Sequence, residues 1–388
     1  HNHGSREIVT RSVEGPIVRS NYSELYYRAR KCSNALLADG VQKGDRVATL
    51  AWNTQRHIET WYGTMCIGAV LHTLNPRLFP EQIAWIINHA EDTHVFYDIT
   101  FQPIIEAIKD KVPSVKHWIV LTDAAHTPQS SIANLRTDEE YIAPHSTDVV
   151  WGDFPEDTAC GLCYTSGTTG DPKGVLYSHR SNILHTMIGL QKDAIGIGAA
   201  DATLPVVPMF HANAWGLAFS GPATGSKLVL PGAKMDGESI YELLENEKVT
   251  FTAAVPTVWL MLLQYLEQTG KKLPHLNRVV IGGSAVPERI LRAFEENYQV
   301  EVVHAWGMTE MSPLGSLGSM TEGVLAQDHD TIMKYKLKQG RAPFGVEMKT
   351  INDENELLPR DGKTAGRLVV RGPAVAKGYF KNAGGNIL

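Results

Sequence analysis

Long apolar runs, runs of like charge and cysteines are all scarce in this chain, and each shortage removes a class of protein. No uninterrupted apolar stretch approaches the roughly 18 residues of a membrane span. The opening His1-Asn2-His3-Gly4-Ser5 does not resemble a signal peptide, so the cytoplasm is the expected location. A net charge of -6 and an isoelectric point near 6.2 give no electrostatic case for nucleic acid or an anionic membrane. Any small anion must therefore be held by a local site. Four cysteines in 388 residues are too few for a disulfide framework. Cys160 and Cys163 have the spacing of a redox or zinc pair, but no second such pair and no spaced histidine pair completes a zinc site. Both fall in a strand-like run over 158–164 and are expected to be buried, reduced packing residues. The fifteen histidines are scattered, and only His211 has a suggestive context.

What is present is 43% hydrophobic and 20% charged, the balance of a globular protein with a large core or several subdomains. From Tyr22 onward helical and strand patterns alternate. Ser23 reads as the cap of a helix that stops at Asp39-Gly40, and 46–50 then reads as a strand. Helices near 56–67, 80–90 and 101–110 separate strands near 70–74, 94–97 and 117–121. The segment 122–157, rich in Ser, Thr, Asp and Pro, reads as connecting structure. Ser178 is placed to cap a helix whose apolar positions Ile183, Leu184, Met187, Ile188 and Leu190 recur at three- and four-residue spacing. A second series follows, with strands near 227–230, 250–254, 278–281 and 300–303 and helices near 239–246, 257–267 and 287–297. Alternation of this kind predicts an α/β protein with two mainly parallel sheets packed through helices, and ligands at the carboxyl ends of the strands.

The strongest chemical signal is Tyr164-Thr-Ser-Gly-Thr-Thr-Gly-Asp-Pro-Lys-Gly-Val175. Gly167, Gly170 and Gly174 let backbone N–H groups turn toward an anion, the hydroxyls of Thr165, Ser166, Thr168 and Thr169 add donors, and Lys173 adds a cation. The nucleotide-binding P-loop is the competing reading, but it requires Gly-Lys followed by Ser or Thr and a helix opening on the phosphates. Here Asp171-Pro172 separates Gly170 from Lys173, Gly174 follows the lysine, and 175–177 reads as a strand. A flexible linker would not carry Pro-Lys-Gly between two apolar runs.

Two further groups sit just past strands. Ile281-Gly-Gly-Ser-Ala-Val-Pro287 allows a planar ligand to approach closely, with Pro287 in the first turn of a helix. Alone, a Gly-Gly pair reads as a tight turn. His304-Ala-Trp-Gly-Met-Thr-Glu310 gathers an aromatic face, a hydroxyl and a carboxylate: Trp306 to stack on a base, Thr309 to donate to a phosphate, and Glu310 to hold Mg2+ through oxygen.

The phosphate loop, Gly282-Gly283-Ser284 and Trp306-Gly-Met-Thr-Glu310 resemble the successive motifs of the adenylate-forming superfamily. The similarity is to bacterial fatty acyl-CoA synthetases, including ligases for methylmercaptopropionate, through Val207-Pro-Met-Phe-His-Ala-Asn-Ala-Trp-Gly216 and Val255-Pro-Thr-Val-Trp259. One departure is Trp306, where the family commonly has tyrosine. The resemblance covers essentially the whole chain. It implies two sheets flanked by helices in a layered αβαβα arrangement plus a small distorted β-barrel, with subdomains at about 1–195, 196–324 and 325–388. It implies ATP, Mg2+ and coenzyme A as co-substrates and metal, a small carboxylic acid as substrate, and leaves room for a homodimer.

By the same resemblance, Thr165, Ser166, Gly167, Thr168, Thr169, Gly170 and Lys173 hold phosphates. Gly283, Ser284, Ala285, His304, Ala305, Trp306, Gly307, Met308 and Thr309 surround the nucleotide, and Thr165 and Glu310 hold the metal. His211, Ala212, Trp215, Gly283, Gly307 and Met308 border the acyl group and the route of the thiol, and Thr165, His211, Thr309 and Glu310 serve catalysis. The matching tryptophan of the family closes the acyl tunnel until nucleotide arrives, which implies a gate at Trp215. The chain stops before the family's Thr-Gly-Asp ribose contact, hinge and small lysine-bearing lid, so the sequence is expected to be the large domain of a longer enzyme.

Overall fold

The computed structural model describes residues 2–165 and 171–382. Two large sheets dominate it. The first has eight strands, in the order Leu314–Leu317, Glu301–Gly307, Arg278–Ile281, Phe251–Ala254, Ala202–Pro205, Lys227–Leu230, Glu7–Arg11 and Ile17–Asn21. Its interior pairings are parallel, and both edge strands are antiparallel. The second has seven: Arg136–Thr137, His117–Val120, His94–Tyr97, Arg46–Leu50, Val70–Thr73, Ala159–Thr165 and Lys173–Ser178. Only its last pair is antiparallel.

The layering follows from which faces are apolar. Helices Gly237–Asn246 and Pro256–Thr269 bury Ile240, Leu243, Trp259 and Leu262 on the outer face of the first sheet. Helices Tyr22–Ala38 and Gln55–Met65 lie between the sheets and bury Leu25, Ile58 and Trp61 with Leu71 of one sheet and Leu228 of the other. Helices Pro80–Ala90 and Gln102–Ile108 close the far face with Ile83, Ile87 and Ile105. The result is the expected αβαβα stack. Strands covered on both faces bury every position, and all four residues of Val70–Thr73 and His94–Tyr97 are buried, the polar His72 and His94 lying beside Asp92 and Asp39.

Several expectations change at the level of elements. The first helix is capped by Asn21 rather than Ser23: the Asn21 side chain accepts from the Glu24 N–H at 2.9 Å. Residues 7–21 form a hairpin that pairs with Lys227–Leu230, so the first strands join the sheet built by the second series. Within 122–157 there are a two-residue edge strand, Arg136–Thr137, and the helix Asp138–Ile142. Toward the other end Glu347–Ile351 and Arg367–Arg371 form a separate antiparallel ribbon, and no closed barrel is made there among the described residues.

The largest reversal concerns the helix His179–Gly189. Ser178 caps it as expected, accepting from Ser181 N–H at 3.0 Å. Ile183 and Met187, however, point outward, 60% and 62% exposed, while Asn182, His185 and Thr186 are buried. This helix turns its polar side inward because, as described below, buried backbone groups there need partners.

Cys160 and Cys163 are free and buried in the strand Ala159–Thr165, and burial pushes the Cys160 thiol up to about 12. Among the described residues no helix is long and apolar enough to cross a membrane.

Candidate active site

Strands Ala159–Thr165 and Lys173–Ser178 are antiparallel, with Thr165 paired to Lys173. The expected phosphate contacts Ser166, Gly167, Thr168, Thr169 and Gly170 lie outside the described residues. The strand ends on either side of them are well placed for chemistry. The Lys173 ammonium lies 5.3 Å from the centre of the Tyr379 ring, and the Tyr379 phenol donates to Oε1 of Glu310 at 2.7 Å. Tyr177, four residues beyond Lys173, donates to the Thr309 carbonyl at 2.7 Å. This strand pair and the 3₁₀ turn Thr309–Met311 are thus tied together by two phenols. Burial and the Glu310 carboxylate raise the Tyr379 pKa to about 12, which keeps its proton in place to donate.

Beside this junction, at the carboxyl ends of Arg278–Ile281 and Glu301–Gly307, lies a cavity of about 200 Å3. His211, Ala212, Trp215, Gly283, Ala305, Trp306, Gly307, Met308 and Thr309 line it, joined by Gly282, Ile195, Val280, Pro313, Leu314 and Leu317. The structure therefore brings together the acyl-side expectations and most of the nucleotide-side ones. Ser284 and Ala285 are exposed just outside. His304 is not on the wall: it is buried, its Nδ1 donating to the Leu337 carbonyl at 3.1 Å. The Trp306 indole packs over the Cα of Gly315, where a Cβ would lie 2.5 Å from the ring. Gly282 is held to glycine by a similar approach, since a Cβ there would sit 2.9 Å from the Ala305 carbonyl oxygen and 3.2 Å from the Trp215 ring.

The segment 206–216, which carries His211 and Trp215, is fixed from the other sheet. Asn53, fully buried, donates from Nδ2 to the carbonyls of Pro205 and Val207 at 2.8 and 2.9 Å, and its Oδ1 accepts from Met209 N–H at 2.7 Å. The chain then makes a left-handed turn: φ is 44°, 58°, 51°, 54° and 82° at Ala212, Asn213, Ala214, Trp215 and Gly216. Each non-glycine residue in that conformation costs roughly 1–2 kcal/mol, so the turn persists only because its surroundings hold it. Asn213 Nδ2 donates to Asn182 Oδ1 at 3.4 Å, Ser220 Oγ donates to the Gly216 carbonyl at 3.1 Å, and His185 packs where a Gly216 side chain would be. His185 Nε2 also accepts from Leu314 N–H at 3.1 Å. Its pKa falls to about 4 because burial opposes the charged form, so the ring remains a neutral acceptor. His211 reaches the surface, and desolvation and the nearby Arg77 cation lower its pKa as well.

Asn53, Asn182, His185, Tyr177 and Tyr379 are supports that motif reading missed. One signal was available: Asn182 and His185 sit three residues apart on one face of their helix, opposite Ile183 and Met187.

The expected metal ligands fit a hard cation. Glu310 forms no ion pair among the described residues and offers a carboxylate, and Thr165 offers a hydroxyl, an oxygen-only donor set.

A family model described as "AMP-binding enzyme" matches residues 1–380. The chain is 45% identical over 383 residues to a 3-methylmercaptopropionyl-CoA ligase of Ruegeria lacuscaerulensis, covering 98% of this chain and 70% of the relative. It is 45% identical over 386 residues to a medium-chain-fatty-acid–CoA ligase of Ectopseudomonas oleovorans, covering 100% of this chain and 71% of the relative. In fold it resembles the anthranilate CoA ligase AuaEII in complex with anthranoyl-AMP, with a TM-score of 0.83 at 23% identity, over 97% of this chain and 68% of that one.

Proposed function

Since this chain belongs to the AMP-binding enzyme family, we propose that it activates a fatty or alkylthio carboxylic acid of short to medium length. The acid attacks the α-phosphate of ATP to give acyl adenylate and pyrophosphate, and the thiol of coenzyme A then displaces AMP. The observation that carries this reading is the meeting of the Thr165–Lys173 strand pair, Glu310 and an uncharged cavity at strand ends.

Each part answers a physical need. An acid carboxylate and a triphosphate repel one another, so adenylation requires positive charge and donors where the anions crowd. Lys173 and the loop 166–170 supply these in the proposal. Glu310 and Thr165 would hold Mg2+, which contributes Lewis-acid neutralisation of phosphate charge when bound. Trp306 offers the base a face, and Gly283 leaves room beside it. His211, Ala212 and Trp215 border the acyl carbonyl and the thiol's approach. Among the described residues the cavity wall carries no acidic side chain, so an amino acid would find no partner there for its ammonium group. Neither nucleophile requires a general base. Proximity and exclusion of water supply the remainder of the rate.

A phosphotransferase built on a P-loop is disfavoured by backbone geometry. Lys173 opens a strand, Lys173–Ser178, and the next helix starts at His179, so the chain does not pass from the lysine directly into a helix as a P-loop does. A cytoplasmic location and assembly as a homodimer belong to the same proposal, to be tested by fractionation and light scattering.

The deciding experiment is a screen of carboxylic acids against the protein with ATP and Mg2+, with and without coenzyme A. Acid-dependent release of pyrophosphate and AMP is expected. Release of ADP or orthophosphate instead would refute the reading.

A further inference from the structure

The inner end of the cavity is walled by Ile195, Val280, Leu314 and Leu317, all buried. Val280 lies within the strand Arg278–Ile281, so the cavity extends from Gly283 back along the sheet surface toward the start of that strand. Ile195 is part of this wall.

Ile195 belongs to neither helix nor strand, yet it is held firmly. The N–H groups of Ile195 and Gly196 both donate to the Gly189 carbonyl, at 2.9 and 3.0 Å, which ties the segment to the end of the helix His179–Gly189. From the other side Arg278 Nη1 donates to the Ile195 carbonyl at 2.7 Å, while its Nε pairs with Glu301 at 2.7 Å. Arg278 and Glu301 are the first residues of two adjacent parallel strands. The wall is therefore braced by the sheet itself, and Gly196, at φ +62°, makes the turn that brings Ile195 inward.

The size and chemistry of this closed end restrict what fits. The cavity of about 200 Å3 is shared between acyl-side and nucleotide-side residues, so only part of it is open to an acyl chain. Pockets that engulf larger ligands usually span about 300–1,000 Å3. The side chains named at this end are apolar, so a terminal hydroxyl or second carboxylate would find no partner among them. Resting on the acyl-adenylate reading above, we propose that Ile195, positioned by Arg278, bounds the acyl cavity and limits the length of the unfunctionalised acyl chain it accepts.

The test uses acyl-sulfamoyl adenosines, non-hydrolysable mimics of acyl-AMP, from acetyl to dodecanoyl, titrated into the protein by calorimetry. In the unsubstituted protein, affinity should rise up to about fourfold per methylene as apolar surface is buried. It should then drop by roughly tenfold or more once the chain meets Ile195. Ile195→Ala should move that break to longer chains, Ile195→Phe to shorter ones, and Ile195→Val, the least disruptive change, should move it slightly outward. Equal affinity for hexanoyl and dodecanoyl mimics, or a break that stays put in folded Ile195→Ala and Ile195→Val proteins, would overturn the proposal while leaving the adenylate reading intact. Failure of every mimic and of AMP to bind would instead strike the adenylate reading itself, and the length limit with it.

Discussion

The Tyr379 phenol hydrogen-bonds the Glu310 carboxylate at 2.7 Å while its ring lies 5.3 Å from the Lys173 ammonium, so one tyrosine contacts both charged groups of the proposed phosphate site. Removing the carboxylate's charge tests its metal role. Glu310→Gln should retain much of its ATP affinity and the bond to Tyr379, yet lose most acyl-adenylate formation, a loss on the order of several kcal/mol in the barrier. Isotope exchange between pyrophosphate and ATP measures this, and near-normal exchange at ordinary Mg2+ would remove Glu310 from the metal site.

Lys173→Ala should weaken ATP binding far more than binding of the free acid, because the lysine opens the strand beside the loop while the acyl cavity lies across the junction. Titrating ATP and hexanoate separately resolves the two. Equal losses would indicate a folding defect instead of a lost phosphate contact.

Trp215 is half-buried and lines the cavity. A tryptophan locked in a core costs roughly 3–5 kcal/mol when cut to alanine. Trp215→Ala should cost clearly less, remain folded, and bind acid without prior nucleotide. Melting curves beside acid titrations, with and without a non-hydrolysable ATP analogue, decide the matter: a large stability loss with unchanged binding order would show a core residue and no gate.

Gly216→Ala combines an unfavourable φ of +82° with a Cβ placed 2.7 Å from the His185 ring. It should lower the melting temperature and the affinity for acyl-adenylate mimics together. Gly198→Ala is the control, since its Cβ would meet nothing nearer than 3.9 Å. Similar melting temperatures for the two variants would mean the left-handed turn is not held as described.

Acid should destabilise the fold through its buried histidines. His57, His94 and His185 each have a folded-state pKa near 4 against an ordinary 6.5, with burial the main cause. Above pH 6.5 both states are neutral at these sites and stability is flat with respect to them. Between 6.5 and 4 the unfolded chain takes up protons that the folded chain refuses, so stability falls by up to about 1.4 kcal/mol per pH unit for each histidine. Urea unfolding from pH 7.5 to 4.5 should show this slope, and His185→Gln should reduce it. An unchanged slope in that variant would mean His185 is not held neutral.

Local pattern alone was enough for much of this architecture. The strands at 227–230 and 278–281, the Ser178 cap and the placement of Glu310 just beyond a strand all depend on neighbours within a few residues, and all appear in the structure, although that strand runs on to Gly307 and includes Trp306. The strand after Lys173 was legible for the same reason, since Gly174 and an apolar run after a lysine do not open a P-loop helix, whereas its antiparallel pairing with Ala159–Thr165 was not. What tertiary structure decided is which face of an element is buried and which distant groups meet. The helix His179–Gly189 shows Ile183 and Met187 to solvent because Leu314 N–H and the left-handed turn at 212–216 require His185 and Asn182 on the inside, and an unpaired buried donor costs more than an exposed methionine. Tyr379 reaches Glu310 across 69 residues, and Ile195 becomes a wall only because Arg278 and Gly189 hold its backbone. Periodicity records how often a residue is apolar along its own element, and the partner across the layer, which fixes the energy, is set by the packing of two sheets.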